Sequence, residues 1–218
     1  TAFERDDNGN ILVEDGVPIG TADPQILGNV TPDWVGGVRN TFSYKNVNLS
    51  ILFDGRKGGD IFTVTKMFGL YAGVLEQTAA NGVREDGVIA GDNWNLAEEE
   101  NFVNADGSVN ATPVAAQSFF TNFYNIKEPS VIDGSFIKLR EITLGYTLPE
   151  SIIKQTGFLQ QVTLSAYARN VALLWTHESN DIVIDPETAF GATNSGMGLE
   201  QFQLPPSRTI GFKVNVKF

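Results

Sequence analysis

The sequence predicts an all-β fold whose antiparallel strands cross a membrane as part of a large barrel. Three observations lead to this prediction. Five segments alternate apolar and polar residues, short and long connections alternate between them, and no run of about 18 apolar residues offers a membrane-spanning helix. With 42% hydrophobic and 19% charged residues, the chain has neither a disordered nor a fibrous composition. Its mean hydropathy of −0.08 is that of a soluble protein, but it does not exclude a β-barrel, whose strands are apolar on one face only.

The first two strands form a predicted hairpin over residues 38–54. Each alternates apolar and polar residues, so the apolar side chains share one face. These are Val38, Phe42 and Tyr44 in the first strand and Val47, Leu49, Ile51 and Phe53 in the second. Lys45 and Asn46 between them predict a two-residue turn, because asparagine tolerates the positive φ that such turns require.

A second hairpin is predicted over residues 135–175, followed by a last strand. In the segment 135–148 the apolar residues fall at odd positions up to Leu139 and at even positions from Ile142, so we expect a β-bulge near Arg140 and Glu141. The segment 162–175 alternates again. The closing stretch RTIGFKVNVKF, residues 208–218, alternates polar residues with Ile210, Phe212, Val214, Val216 and Phe218.

The connections between these strands alternate in length. Lys45 and Asn46 and the segment 149–161 are short, whereas 56–134 and 176–207 are long. An up-and-down arrangement then places all short turns at one end, as in outer-membrane barrels with short periplasmic turns and long extracellular loops. Residues 1–37 would be a further extracellular loop, and the C-terminus would be periplasmic. The last strand, tilted by about 45°, would cover roughly 26 Å, close to the apolar band of such barrels.

Two other interpretations stay open on these patterns. A secreted soluble β-sandwich that binds carbohydrate would also have alternating strands, although a loop of about 80 residues is uncommon in a compact domain. A glycosidase could use paired carboxylates in the long loop, at 85–87 or at Glu98, Glu99 and Glu100, although solvated loop charge explains them more simply. The barrel interpretation needs further strands from elsewhere, since about eight are the minimum for closure.

Composition excludes several kinds of site. A net charge of −11 without a basic stripe argues against nucleic acid and against a polybasic lipid anchor. Cysteine is absent, and the single His177 lacks a positioned nucleophile and acid, so we expect no enzyme activity. No metal is expected either. Asp6, Asn8 and Asn10 alternate as in a calcium loop, but the glycine falls one position early and Val17 stands at the twelfth position, so an Asx-rich turn is expected.

Aromatic residues in the loop 56–134 are the best candidates to contact a ligand or a lid protein. They are Phe68, Tyr71, Trp94, Phe119, Phe120 and Tyr124. Aromatic rings suit sugars and apolar peptide side chains, but they could equally pack the loop against itself. Apolar spacing in the same loop predicts a helix over residues 63–82, with Gly82 at its C-terminal cap.

Five segments of the chain match, in order, the late part of one known family. They are LGNVTPDWVGGVRNTFSYKNVNLSILFDGRKGGDIF (27–62), SFIKLREITLGYTLPESII (135–153), ARNVALLW (168–175), IDPET (184–188) and PPSRTIGFKVNVKF (205–218). In this series the sequence resembles SusC/RagA-type TonB-dependent transporters of Bacteroidetes. The resemblance covers most of the chain from about residue 27. We therefore expect the chain to begin inside a longer protein and to end at its natural C-terminus.

The resemblance implies a 22-stranded barrel with an N-terminal plug, of which this chain would supply the last five strands. It further implies import of oligosaccharides or oligopeptides, a SusD-like lipoprotein as lid, and TonB as energy coupler acting on a part outside this chain. Ile210, Phe212, Val214, Val216 and Phe218 would face outer-membrane lipid, and Phe218 resembles the signal that the assembly machinery recognises. Alternate polar residues would face the lumen or plug: Arg39, Thr41, Asn48, Ser50, Arg169, Lys213 and Asn215.

Overall fold

The computed structural model describes residues 1–96, 101–189 and 197–218, and the chain divides into two compact units. The first, here called the loop unit, comprises Thr1–Val30, Asp60–Asp133 and Ala189–Gln203. The second, here called the sheet unit, comprises Thr31–Gly59, Gly134–Thr188 and Leu204–Phe218.

Strands dominate the described residues, and the all-β prediction is confirmed in this coarse form. The strands are β1 (Ile11–Glu14), β2 (Val17–Pro18), β3 (Pro32–Tyr44), β4 (Val47–Gly58), β5 (Asp60–Thr63), β6 (Phe102–Asn104), β7 (Val131–Asp133), β8 (Phe136–Thr147), β9 (Gln161–Thr176), β10 (Leu199–Glu200) and β11 (Thr209–Lys217). The α-helices are α1 (Val64–Tyr71), α2 (Ala116–Thr121) and α3 (Glu150–Ile153). Short 3₁₀ turns lie at Glu76–Thr78, Ala80–Gly82, Asn122–Tyr124, Glu128–Ser130, Lys154–Thr156 and Pro186–Ala189.

The sheet unit is built on one antiparallel sheet of the five long strands, in the order β11-β9-β8-β4-β3. Strands that follow one another in the chain are therefore neighbours in space. The N-terminal ends of β3, β8 and β11 and the C-terminal ends of β4 and β9 share one end of this sheet. All long connections leave from that end. The other end, here called the short-turn end, carries only Lys45 and Asn46 and the segment 148–160.

The β3–β4 hairpin turns at the predicted place but with a different backbone conformation. Tyr44 pairs with Val47, and the positive φ of 52° falls on Lys45 and not, as predicted, on Asn46. A positive φ at the first turn residue alone is the pattern of a type II′ turn. The Lys45 ammonium also lies 5.4 Å from the centre of the Tyr44 ring.

The β-bulge predicted in β8 is confirmed at Arg140. Leu139 pairs with Phe53 and Glu141 pairs with Leu52, so Arg140 is left without a partner on β4. This extra residue switches the apolar positions of β8 from odd to even numbers while keeping them on one face of the sheet.

The loop unit has its own core, so the long loop 56–134 is folded and not structureless. Two small sheets, β2-β1-β6 and β10-β5-β7, accompany α1 and α2. The core consists of Phe3, Ile11, Val13, Leu70, Val83, Val88, Ala90, Trp94, Phe102, Phe119, Phe120, Phe123 and Ile126. A core of this kind explains how so long a connection stays compact.

The helix predicted over residues 63–82 is much shorter than expected. Thr63 caps the N-terminus of α1 through its side chain, but the helix ends at Tyr71. Gly73, with φ of 68°, donates its N–H to the Leu70 carbonyl and closes the last turn, so Gly73 and not Gly82 terminates the helix. None of the described helices has the length and apolar character needed to cross a membrane.

Candidate functional site

One face of the five-stranded sheet is apolar across all five strands. Directly paired residues point to the same face, so each level of the sheet forms a row. One row is Tyr44, Val47, Tyr146, Leu164 and Val214, and the next is Phe42, Leu49, Leu144, Ala166 and Phe212. Most of the large side chains on this face are exposed, and Phe212 reaches 83%.

Aromatic residues lie at both ends of this apolar face. Trp34 and Trp175 stand at the end with the long connections, and the Trp34 ring lies over Gly55 in β4. Tyr44 and Tyr146 stand at the short-turn end. Ten residues separate Trp34 from Tyr44, which is about 33 Å along the strand and about 23 Å of height at a tilt of 45°. Outer-membrane barrels carry an apolar band of about 25 Å between two aromatic girdles.

The opposite face of the sheet is polar and carries the seven residues predicted to face a lumen. Strand pairing places Arg39, Thr41, Asn48, Ser50, Arg169, Lys213 and Asn215 there together. At its centre Glu141 accepts hydrogen bonds from Arg39 and Arg169, both at 3.0 Å. Arg39 also donates to the Ser50 hydroxyl at 3.1 Å.

A second charge network ties the segment 177–188 to this polar face. Lys138, only 4% exposed, donates to both carboxylate oxygens of Asp185 at 2.6 Å and also to Glu187. Arg140 donates to Glu187 at 2.5 and 2.9 Å and pairs with Asp54. Burial alone would raise the pKa of the Glu187 carboxyl, but the hydrogen bonds from Arg140 and Lys138 outweigh it and hold that pKa below its ordinary value.

The loop unit presents an exposed group of four rings, here called the aromatic patch. It consists of Phe68, Tyr71, Tyr124 and Phe202. Neighbouring rings of the patch have their centres 5.6 to 6.3 Å apart, within the range of favourable aromatic pairs. The hydroxyls of Tyr71 and Tyr124 make no hydrogen bond to another described residue. The Lys127 ammonium lies 4.5 Å from the centre of the Tyr124 ring, and burial lowers the pKa of Lys127.

Phe202 is held in the patch by a buried carboxylate. Its φ of 58° lies in the left-handed region, which a bulky residue adopts only when its surroundings enforce it. Glu200, 2% exposed, accepts a hydrogen bond from the Phe202 N–H at 2.7 Å and from the hydroxyls of Thr63 and Thr65 at the same distance. The start of α1 thus fixes the position of Phe202.

A cleft of about 480 Å³ adjoins the patch at Tyr71. Arg84, Gln117, Phe120 and Thr121 line it together with Tyr71. Arg84 is oriented by the carbonyl oxygens of Thr78 and Gly73, at 2.9 and 2.6 Å. The cleft therefore combines ring surface with fixed polar groups, the usual composition of a small ligand site.

Known relatives of the chain are TonB-dependent receptors. No protein-family model matches the sequence. TonB-dependent receptor P3 of Formosa agariphila is 30% identical over 205 residues, which cover 92% of this chain and 18% of that protein. TonB-dependent receptor P26 of the same organism is 30% identical over 218 residues, covering 98% of this chain and 19% of that protein. The resemblance to SusC/RagA-type TonB-dependent receptors is confirmed.

Solved structures of one importer have a similar fold. The RagAB peptide importer in the closed-closed state matches 99% of this chain and 20% of that chain, at 20% identity and a TM-score of 0.57. The match to the same importer in the open-open state covers 100% of this chain and 22% of that chain, again at 20% identity and a TM-score of 0.57. The chain spans about a fifth of the length of the curated receptors. All these relatives are named as receptors or importers, which agrees with the prediction of a non-enzymatic protein.

The structure separates the six aromatic residues of the loop 56–134 that were predicted to contact a ligand or a lid protein. Phe68, Tyr71 and Tyr124 lie together in the exposed patch. Trp94 is 3% exposed and packs in the core with its ring 4.9 Å from that of Phe119. Trp94 and Phe119 are thus placed where they pack the loop against itself. Phe120 is also buried, but part of its side chain lines the cleft.

Phe202 is the member of the patch that sequence reasoning missed. It lies outside the loop 56–134, which contains all six aromatic residues predicted to contact a ligand. No local pattern marks it, because its position depends on the distant contact between Glu200 and Thr63.

The turn at Asp6 has the Asx geometry expected from the sequence. One Asp6 carboxylate oxygen accepts the backbone N–H groups of Asn8 and Asn10, and the other accepts the Asn10 side-chain amide at 2.8 Å. These hydrogen bonds, the Asn10 side chain first, lower the pKa of Asp6. Among the described residues, no three His, Cys, Asp or Glu side chains converge on a metal position. The expectation that Asp6, Asn8 and Asn10 form an Asx-rich turn and not a calcium site stays a prediction as far as calcium is concerned.

The other polar residues singled out from the sequence occupy ordinary loop positions where they are described. His177 contacts the Ser179 hydroxyl through its Nδ1 at 3.0 Å. Glu85 and Asp86 are exposed. Glu98, Glu99 and Glu100, the other carboxylates of the glycosidase hypothesis, lie outside the described residues.

Proposed function

We propose that this chain is the C-terminal barrel segment of a TonB-dependent importer in the bacterial outer membrane. The observation that carries the proposal is the exposed apolar face of the sheet, about 23 Å high between its aromatic rows. Such a face is unfavourable in water and favourable against lipid. A soluble β-sandwich would instead bury this face against a second sheet.

The polar face lines the lumen or contacts the plug in this proposal. Its charges are paired within the sheet, as Glu141 is with Arg39 and Arg169, which suits a surface that faces water and protein. In the described part of the chain, β3 and β11 each pair with one neighbour only. The rest of a 22-stranded barrel would supply their outer partners, because an unpaired edge is costly in hydrocarbon.

Transport in this proposal follows the scheme of the family resemblance. Oligosaccharides or oligopeptides enter past the long loops, a SusD-like lipoprotein serves as lid, and TonB supplies energy through another part of the receptor. The aromatic patch and the adjoining cleft contact the cargo or the lid. The similar RagAB structures are of a peptide importer, which supports the peptide alternative.

Cysteine labelling of the full-length receptor in intact cells tests the location and orientation. This chain contains no cysteine, so single Asp106→Cys and Lys45→Cys changes give unique labels in it. With a membrane-impermeant maleimide, we expect the Asp106→Cys variant to react on whole cells and the Lys45→Cys variant only after lysis. Equal labelling of both on whole cells would contradict the orientation. A monomeric, cooperatively melting protein formed by the 218 residues alone in plain buffer would contradict the membrane location.

Binding of cargo or lid to the patch is tested by removing single rings. Tyr71→Ala and Tyr124→Ala should each weaken binding of the receptor's cargo or lid by about 10-fold or more, as expected for central aromatic contacts. Val74→Ala is the control, because Val74 is an exposed apolar residue beside α1 that lies outside the patch. Wild-type affinity in both tyrosine variants would remove the patch from the binding surface.

A further inference from the structure

Two phenylalanines stack at the short-turn end of the sheet. Phe158 lies in the segment between α3 and β9, and Phe218 follows the last residue of β11. Their ring centres are 6.4 Å apart and their planes differ by only 10°. Both side chains are otherwise exposed, at 67% and 73%. Among the described residues, the stack is the aromatic pair that each of these two rings forms.

The turn before β9 is built in a way that delivers Phe158 to this position. Thr156 donates its hydroxyl to the Ile153 carbonyl at 2.7 Å and accepts the Leu159 N–H at 3.3 Å. Gly157 has φ of 76°, a left-handed conformation that reverses the chain just before Phe158. The Gln160 N–H then donates to the Lys217 carbonyl at 2.8 Å, which fastens the turn to the end of β11.

Phe218 depends on this contact more than other residues of the apolar face do. It continues the alternation of Ile210 to Val216 but lies beyond the paired residues of β11, whose last partner is Gln161. Without the ladder to hold its backbone, its ring is ordered only by what it touches, and ordering a free residue costs conformational entropy. Phe158 supplies that contact.

The surroundings of the stack match the composition of a lipid–water interface. The stack continues the exposed apolar face, and Tyr44 and Tyr146 lie at the same end of the sheet. Lys217 precedes Phe218 directly and has a side chain long enough to reach lipid phosphates, whereas Lys154 in the same turn is paired with Glu150 at 2.8 Å. Aromatic rings next to lysine side chains are typical of membrane interfaces.

We propose that Phe158 is a positioning residue that holds Phe218 at the lipid–water interface, so that the two rings act as one anchor during insertion of the receptor. This inference rests on the proposed outer-membrane location and on the assembly role predicted for Phe218. The new element is Phe158, which lies in the connection before β9 and would share the assembly role predicted for Phe218.

A double-mutant cycle in the full-length receptor tests the coupling. The measured quantity is the amount of heat-resistant, folded receptor in the outer membrane. We expect Phe158→Ala and Phe218→Ala each to lower it by about 2- to 10-fold, the range that the loss of one aromatic pair produces. The double variant should have as much folded receptor in the outer membrane as the more impaired of the two single variants, because both changes break the same contact.

Matched variants separate stacking from loss of apolar area. Ile152→Ala removes an exposed apolar side chain from the same turn without touching the stack, and Phe158→Tyr keeps the ring. Both should insert at wild-type level, whereas Phe158→Leu should fall toward Phe158→Ala.

Three results would overturn the inference. They are a wild-type level for Phe158→Ala, a double variant whose loss is the product of the single losses, and a Phe158→Tyr variant as low as Phe158→Ala. Absence of the wild-type receptor from the outer membrane would instead contradict the proposed function itself. The two failures are therefore distinguishable in one experiment.

Discussion

Changing Glu187 to glutamine tests whether charge pairs hold the segment 177–188 against the polar face of the sheet. Glu187 accepts hydrogen bonds from both Arg140 and Lys138, and Lys138 has Asp185 as its other partner. Glutamine keeps the shape of the side chain but loses its charge. The buried Lys138 would then keep Asp185 as its carboxylate partner, and Arg140 would keep Asp54 and its hydrogen bond to the Asn170 side chain.

The expected magnitude follows from how far these groups are shielded from water. The side chains of Arg140 and Glu187 are 24% and 30% exposed, so the pair lies between a surface pair and a buried one. Exposed pairs contribute about 0–1 kcal/mol, and breaking a buried pair costs about 3–5 kcal/mol. We expect the free energy of opening this segment to fall by about 1–3 kcal/mol, which is roughly a 5- to 150-fold larger opening constant.

Hydrogen exchange of the full-length receptor measures this opening directly. The Ile184 N–H donates to the Asn180 side chain at 3.0 Å and the Val183 N–H donates to the Asn180 carbonyl at 3.0 Å, so both exchange only when the segment opens. Glu178→Gln is the matched control, since it removes the same charge from an exposed site in the same segment. Exchange in the Glu187→Gln variant no faster than in the control would refute the role of the charge pairs.

Further predictions concern pH, the loop core and the two faces of the sheet. Because the pKa of Glu187 is lowered on folding, its contribution should be present above pH 4.5 and be lost as pH falls through the lowered value, seen as faster exchange of Ile184 in acid. Trp94→Ala should destabilise the loop unit by about 3–5 kcal/mol, measured as faster proteolysis within residues 60–133. Ile210→Lys, near the middle of the apolar band, should cost about 2–4 kcal/mol in folding into lipid, whereas Asn215→Lys on the polar face should be nearly neutral in the same folding titration.

Local patterns predicted the sheet well where side chains alternate without interruption. The phase change between Leu139 and Ile142 was sufficient to locate the bulge at Arg140. The start of β3 was placed at Val38, six residues late, because Gly36 and Gly37 interrupt the alternation. In the structure the Trp34 ring covers the space left open by Gly36 in the same strand and by Gly55 in β4, and the contact with Gly55 joins two strands and is not a local sequence pattern.

The candidate site was less predictable, because burial decides it. The six aromatic residues of the loop 56–134 cannot be told apart by local sequence, yet Trp94, Phe119 and Phe120 are buried whereas Phe68, Tyr71 and Tyr124 are exposed. Apolar spacing also continued past Tyr71 to Val74 and extended the predicted helix, whereas the left-handed Gly73 ends it. Phe202 joined the patch through a hydrogen bond network reaching from Glu200 to α1, which only the folded chain reveals.

The two units differ strongly in charge, so the net charge of −11 for the whole chain describes neither of them. The loop unit contains 18 of the 26 acidic residues and only 4 of the 15 basic residues. The sheet unit is therefore slightly basic, with 11 basic and 8 acidic residues. The objection to contact with anionic lipid, drawn from the charge of the whole chain, thus applies to the loop unit alone. At the short-turn end, Lys45 and Lys217 accompany exposed aromatic rings, whereas Lys154 is paired with Glu150 at 2.8 Å, so anionic head groups would meet a surplus of positive charge there.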